Sequence, residues 1–166
     1  MRALVVGSYV NAVSLGVSRL PGRGESIAAS DIIVEHGGKR LNLAVGLHRL
    51  GADVRLLLNV GRDASGRALR AELEALGMDL SLVREVETPS GFGVGFVTPQ
   101  GENFISVFAG ANMTMGDADV EAALSAVGAA GGIVGQFEAP DAALLKAFER
   151  GKASGASTSL NPSPWR

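Results

Sequence analysis

The stretch "GGKRLNLAVGLHRLGADVRLLLNVG", residues 37–61, combines a helix pattern with a strand pattern. Within it, residues 41–50 place apolar side chains at the spacing of a helix, and Gly51 follows where helices commonly end. Residues 53–61 then form an apolar run with the length of a buried strand. A helix followed directly by a buried strand predicts one unit of an α/β fold.

The same alternation extends in both directions from this stretch. Strands are expected at 2–8, 131–137 and 156–160, and helices at 63–77, 117–127 and 141–151. Strands that alternate with helices predict an α/β domain with a largely parallel sheet and flanking helices. Ligands bind at the carboxyl ends of the strands in such folds. The residues at these ends are Ser8, Tyr9, Gly61 to Asp63, Glu138 and Asn161.

Two segments, residues 12–35 and 91–108, interrupt the alternation. The first contains two extended stretches on either side of the turn sequence "LPGRGE". The second has the strand patterns of a hairpin around "PQGE". We therefore expect these strands to form a separate, small β layer.

The composition limits the classes of function. A chain of 166 residues suits one domain, and its net charge of −2 argues against nucleic acid as a partner, because nucleic-acid-binding domains carry basic patches. The chain has no cysteine, and neither histidine has metal-ligand spacing, so no metal site is expected. Two long uncharged runs, 3–18 and 122–137, have 16 residues each, fewer than the roughly 20 that span a bilayer. We expect a cytoplasmic protein without a membrane partner.

The segment "GGKRLN", residues 37–42, carries the most specific chemistry. Glycines let a backbone approach a ligand closely, and the first amides of a helix are unpaired donors. Lys39 adds a cation, and the amide of Asn42 both donates and accepts. Such mixed partners suit a vicinal diol, whose hydroxyls also both donate and accept. The alternative is a plain loop before a helix, with Lys39 and Arg40 solvated.

Several blocks together give the chain a family resemblance. Gly37, Gly38, Asn42, Ala44, Gly51 and Gly61 have the spacing of a known signature, and the blocks "GSYVN", "NVGRDASGRALRAEL", "GENFISVFAGAN", "GQFEAP" and "LNPSP" follow in the expected order. The chain resembles the amino-terminal half of the ribokinase (PfkB) family of carbohydrate kinases over essentially all of its residues. The resemblance implies a ribokinase-like, Rossmann-type sheet with a β-strand lid, truncated relative to the complete family fold.

The resemblance also implies a function and a set of site residues. Family members transfer the γ-phosphoryl group of ATP to a hydroxyl of a sugar or nucleoside with Mg²⁺, and some dimerise through the lid. The candidate substrate-binding residues are Asn11, Gly38, Lys39, Asn42 and Glu138. The family's catalytic aspartate and most of its ATP contacts lie in the carboxyl-terminal half, outside this chain. The expectation is a sugar-binding half of a kinase that is inactive alone.

Three positions depart from the family pattern. Arg40 stands where the signature has a small residue, and it would either obstruct the sugar site, be displaced from it, or pair with an anionic substrate. If its backbone needs a positive φ, it adds roughly 1 kcal/mol of strain. Val10 and Ala12 stand where ribokinases have an Asn and an Asp that hold sugar hydroxyls. The loss of that carboxylate makes ribose itself a doubtful substrate.

Two other interpretations remain open. The chain is alternatively a non-catalytic sugar-binding or dimerising module, or a structural domain without a retained function. The strand at 156–160 bears on this choice, because it would normally pair with later strands and its flank is expected to be exposed. A carboxyl-terminal half on another chain is a possible completing partner, as is a second copy bound through the lid.

Overall fold

The computed structural model describes residues 2–128 and 131–163, and of Arg40 it describes the backbone alone. The strands are β1 Arg2–Val6, β2 Val10–Val17, β3 Ala29–Gly37, β4 Asp53–Gly61, β5 Val83–Val86, β6 Phe92–Val97, β7 Asn103–Phe108, β8 Gly132–Gln136 and β9 Ser157–Asn161. The α-helices are α1 Lys39–Arg49, α2 Ala64–Ala75, α3 Asp117–Val127 and α4 Asp141–Ala153, and Gly110–Thr114 forms a 3₁₀ helix. In the described ranges, no helix is long and apolar enough to cross a membrane.

Five strands form the central sheet in the order β5-β4-β1-β8-β9, and every neighbouring pair is parallel. Helices α1 and α2 pack on one face of this sheet, and α3 and α4 pack on the other. The α/β fold with a largely parallel sheet is therefore confirmed. The chain runs from β1 to β4 on one side and later returns to β8 on the other, so β1 and β8 flank a switch point. Crevices for ligands form at the carboxyl ends of such strands.

The remaining four strands form a second sheet in the order β3-β2-β6-β7, which we call the outer sheet. Its strands lie within or close to the two segments that interrupt the helix–strand alternation. Strands β2 and β6 pair in parallel, whereas the other two pairs are antiparallel. The hairpin expected around "PQGE" is present as β6 and β7. The sheet is joined to the central layer at the β1–β2 link, which places it beside the switch point.

Strand β5 was not predicted from the sequence. Its four residues, "VREV", place two adjacent charged side chains between two apolar ones, which is neither the alternation of a half-buried strand nor a continuous apolar run. The pairing with β4 and an ion pair between Arg84 and Asp119 of α3 hold it at the sheet edge. Tertiary contacts, rather than local pattern, therefore decide that this segment is a strand.

The condition for backbone strain at Arg40, a positive φ, is not met. Helix α1 begins at Lys39, so the backbone of Arg40 is helical, and no described non-glycine residue has a positive φ. The positive φ, 118°, belongs instead to Gly38, which precedes the helix. The side chain of Arg40 lies outside the described part of the chain, so its obstruction of a sugar site or its pairing with an anion stays a prediction.

Strand β9 lies at the edge of the central sheet, where it pairs with β8. All five of its residues are exposed. The exposed flank expected at 156–160 is thus present among the described residues, and it includes the apolar side chain of Leu160. Parallel sheets normally have both faces covered by other elements, whereas the side chains of β9 are exposed on both faces.

Candidate functional site

The carboxyl ends of β1 and β8 bring a serine and a glutamate together. Ser8 follows β1 and is fully buried, and its hydroxyl donates a 2.6 Å hydrogen bond to Oε2 of Glu138, which follows β8. The ammonium group of Lys39 lies 3.2 Å from Oε1 of the same carboxylate. Glu138 is thus held from two sides, while about a fifth (22%) of its side chain stays exposed to accept another donor.

The start of α1 packs tightly against the end of β1. A Cβ on Gly38 would lie 2.5 Å from the backbone oxygen of Ser8. The φ of Gly38 is 118°, a backbone conformation that residues with a side chain rarely adopt. Gly38 precedes the helix and has no side chain that could accept a hydrogen bond from it. The backbone amides of the first turn are therefore not capped by a side chain at this position. The glycine therefore allows the helix start, with Lys39, to reach the Ser8–Glu138 pair.

A cavity of about 550 Å³ lies beside this cluster. Its walls come from the start of α1, from β2 and β7, from the 3₁₀ helix and from the β8–α4 connection. Among the described residues that line it, only Lys39, Asn112 and Glu138 carry polar side chains. The volume falls within the range of about 300–1,000 Å³ that is typical of small-molecule sites.

Asn112 positions one wall of the cavity. It is buried, its Oδ1 accepts from the Tyr9 amide at 2.8 Å, and its Nδ2 donates to the Tyr9 and Ala109 oxygens, each at 2.7 Å. These bonds fix the β1–β2 link to the 3₁₀ helix. In the sequence, Asn112 stands out only as part of the block "GENFISVFAGAN", and no local pattern signals its partner, which lies 103 residues away.

The side chain of Tyr9 also holds the β1–β2 link in place. Its hydroxyl donates to the backbone oxygen of Ser65 at 3.2 Å and lies 2.8 Å from Nδ1 of His36. Burial, together with the negative charge of Asp63, raises the pKa of Tyr9 to about 12. The phenol therefore stays neutral at physiological pH and serves as a structural tie between β1, β3 and α2.

Three of the five predicted substrate-binding residues come together in the structure. Gly38, Lys39 and Glu138 all line the 550 Å³ cavity. Asn42 is exposed and lines a different cleft, between α1 and α2. Asn11 lies on β2, and its amide donates to the Ser65 hydroxyl at 3.1 Å.

The position of Asn11 follows from strand geometry. Side chains alternate between the faces of a strand, and Val10 and Ala12 on either side of Asn11 face the cavity. Asn11 therefore points toward α2 instead. The structure does not bring Asn11 or Asn42 to the cavity, and substrate contact by either residue remains a prediction.

The fold and the site define a class of protein. A doubly wound parallel sheet with polar side chains at its switch point and a second sheet beside them is the arrangement of an α/β protein with a small-molecule site at its strand ends. Residues 2–165 match the family model described as pfkB family carbohydrate kinase. The chain belongs to the PfkB family of carbohydrate kinases.

Individual relatives agree with this assignment. The chain is 32% identical over 165 residues to a ribokinase from Staphylococcus aureus, covering 98% of this chain and 54% of that protein. It is 31% identical over 162 residues to a ribokinase from Mus musculus, covering 97% and 50%. The chain thus spans about half the length of these curated relatives.

Solved structures show the same relationship. The structure of ribokinase from Giardia lamblia matches with a TM-score of 0.90 at 26% identity, over 99% of this chain and 56% of that chain. The Arabidopsis thaliana ribokinase complexed with ribose and ATP matches with a TM-score of 0.83 at 30% identity, over 97% and 53%. The prediction of a ribokinase-like fold is confirmed, over about half the length of these proteins.

Proposed function

We propose that this chain is the sugar-binding or nucleoside-binding half of a ribokinase-like kinase, and that it holds substrate hydroxyls at Gly38, Lys39 and Glu138. The observation that carries the proposal is the Ser8–Glu138–Lys39 cluster, which borders a cavity at the switch point of the sheet. A carboxylate and an ammonium group at one point give a diol both an acceptor and a donor. Because their charges offset each other, the cluster suits a neutral hydroxyl compound.

Asn42 stays in the proposal as a further contact. It lies three residues after Lys39 on α1, and residues at this spacing are neighbours on a helix surface. The side chain is exposed, so it is accessible to a ligand that extends along the helix start. Substitution by alanine should weaken binding less than changes at Lys39 or Glu138, since Asn42 lies outside the cavity lining.

The transfer step is proposed to need residues outside this chain. In the described ranges, no group of three or more His, Cys, Asp or Glu side chains could hold a metal ion. As the family resemblance implies, we place the main sites of ATP and Mg²⁺ in the half of the family fold that this chain does not span. We expect the chain alone to bind substrate without phosphorylating it.

Calorimetric titration of the 166-residue chain with D-ribose, 2-deoxy-D-ribose and inosine tests this proposal. We expect at least one of them to bind, and Glu138→Gln and Lys39→Met each to weaken that binding by about tenfold, the loss of one charged hydrogen bond. Glu149→Gln, an exposed change on α4, is the matched control and should leave the affinity unchanged. Equal affinities in all four proteins would place the binding site elsewhere.

A dimerising module is the second candidate, and exposed apolar side chains on the outer sheet favour it. Ile32, Val34 and Phe104 share one face of this sheet and are 61%, 61% and 45% exposed. Contiguous exposed apolar surface commonly marks an interface. Sedimentation should show a dimer that Val34→Lys dissociates and that Leu145→Lys, at an exposed position on α4, leaves intact. A monomer at every concentration would exclude this candidate.

A further inference from the structure

We propose that the substrate of this site carries an apolar or aromatic group next to its hydroxyls, and that a free pentose is a poor ligand. This inference rests on the proposed function and specifies its substrate class. It follows from an imbalance in the cavity: the polar contacts are confined to one cluster, whereas the outer-sheet wall is apolar. The shared chemistry is that of an aryl glycoside or a nucleoside, namely a hydroxylated ring joined to a flat, weakly hydrated one.

The outer-sheet wall offers no side-chain hydrogen bonds. Val10 and Ala12 face the cavity from β2, and Ile105 and Val107 face it from β7. The strand pairing makes this surface continuous, because Ala12 lies beside Gly93 and Gly93 lies beside Val107. Gly93 adds no side chain, so the wall is a shallow apolar surface that a flat group can cover.

One of the three polar side chains that line the cavity already has its hydrogen-bond partners within the protein. Both amide atoms of Asn112 bond to the backbone, to Tyr9 and to Ala109. That leaves Lys39 and Glu138 as the side chains, among the described lining residues, that can exchange hydrogen bonds with a ligand. They contact each other at 3.2 Å, so they serve one pair of hydroxyls. Hydroxyls placed against the apolar wall would lose water without gaining a partner.

The size of the cavity points the same way. Its volume of about 550 Å³ exceeds what one sugar ring fills, since cavities of about 300–1,000 Å³ enclose drug-sized ligands. A ring that stacks on Val107 and Ala12 would remove apolar surface from water on both sides. That burial favours the substituted ligand over the bare sugar.

The test is calorimetric titration of the 166-residue chain with D-ribose, methyl β-D-ribofuranoside, phenyl β-D-ribofuranoside and inosine. The methyl riboside separates the effect of blocking the anomeric hydroxyl from that of the ring. We expect the phenyl riboside to bind about tenfold tighter than the methyl riboside, or more. Inosine that binds as tightly as the phenyl riboside would assign a nucleoside, and weak inosine binding would assign an aryl or other apolar substituent.

Variants of the wall make the test specific. Ala12→Asp should reduce the preference for the phenyl riboside to about threefold or less, since it places a carboxylate on the wall. Ser14→Asp, on the same strand and face but outside this cavity, is the matched control and should keep the preference. If Ala12→Asp fails to fold, Val107→Thr replaces it in the test, because this change is nearly equal in volume and lies at an exposed residue. It should likewise reduce the preference for the phenyl riboside.

The outcomes separate the inference from the proposed function. Equal binding of ribose and both ribosides would overturn the inference and leave the proposed sugar site standing. A phenyl preference that Ala12→Asp and Val107→Thr both leave unchanged would also overturn it, because the ring would then lie on another surface. Absence of binding by all four ligands would overturn the inference and the proposed function together.

Discussion

The Ser8 hydroxyl donates a 2.6 Å hydrogen bond to Glu138, a residue 130 positions away in the chain. The bond spans the switch point between β1 and β8, and Lys39 completes the cluster from the start of α1. Ser8 is buried and does not line the cavity, so it acts on a ligand only through the carboxylate that it orients.

Removing this hydroxyl should therefore weaken binding without abolishing it. We expect Ser8→Ala to lower the affinity for a bound polyol about fivefold, which corresponds to one hydrogen bond of about 1 kcal/mol. Ser125→Ala, at an exposed position on α3, is the control. Calorimetric titration measures both. An affinity unchanged by Ser8→Ala would mean that Lys39 alone orients Glu138.

Two glycines, one immediately before α1 and one within it, should change the free energy of unfolding in opposite directions when replaced by alanine. Gly38→Ala places a Cβ 2.5 Å from the Ser8 oxygen at a φ of 118°, and we expect a loss of at least about 2 kcal/mol in the free energy of unfolding. Gly46→Ala lies within the same helix with nothing inside 4 Å of the new Cβ. It should raise that free energy by about 0.5–1 kcal/mol. Urea denaturation distinguishes the two, and losses of equal size would contradict the packing described for Gly38.

Asn112 should prove to be a structural residue. Asn112→Ala leaves the buried amide and carbonyl of Tyr9 without their side-chain partner, at a cost of about 3 kcal/mol in unfolding free energy. Asn112→Asp keeps the acceptor for the Tyr9 amide but loses the donor to the Tyr9 and Ala109 oxygens. It should therefore also destabilise the fold. Thermal denaturation of both variants measures this, and a stable Asn112→Asp protein would show that the donor contributes little.

The titration of Tyr9 can be observed directly, because it is the only tyrosine in the chain. We expect tyrosinate absorbance to appear with a midpoint near pH 12 in the folded protein, since burial and Asp63 raise the pKa. The pKa in the unfolded chain is about 10. The stability that Tyr9 contributes is then complete below pH about 10 and is lost as the pH rises toward 12.

Tyr9→Phe provides the control for that titration. The variant should show no tyrosinate absorbance, and its unfolding free energy should fall less steeply than that of the parent between pH 10 and 12. A midpoint near the unfolded value in the native parent would mean that the hydroxyl is accessible to water. It would also contradict the ties to His36 and Ser65.

Much of the fold was predictable from local pattern. The strand at 53–61 has the predicted bounds, α3 spans 117–127 as expected, and Gly51 and Gly77 have the positive φ that ends a helix. These elements have long apolar periods and clear terminal residues, so neighbouring side chains determine them. Strand β5 lacked such a period and was missed, because its pairing with β4 depends on residues far away in the chain.

The site was predictable only where the local signal was strong. Gly38 and Lys39 follow from the glycine pair at a helix start, and Glu138 follows from the end of β8. Asn11 was proposed because the family resemblance implies a substrate contact in this block, but alternation along β2 turns it toward α2 and leaves Val10 and Ala12 at the cavity. Neighbouring residues along a strand point to opposite faces, so an error of one residue places a side chain on the wrong face. The residue type of Asn11 does not show which face it takes.

Hydrophobic periodicity and glycine positions act over short distances, and they were enough to predict the helices, every strand of the central sheet except β5, and the end of that sheet where a ligand would bind. Which polar groups meet at that end became visible only in the folded protein. Ser8, Lys39 and Glu138 come from three separate parts of the chain, and Asn112 ties a fourth, the 3₁₀ helix, to the segment that contains Ser8. Their contacts depend on strand order and on the packing of α1 against β1, which are properties of the folded chain as a whole.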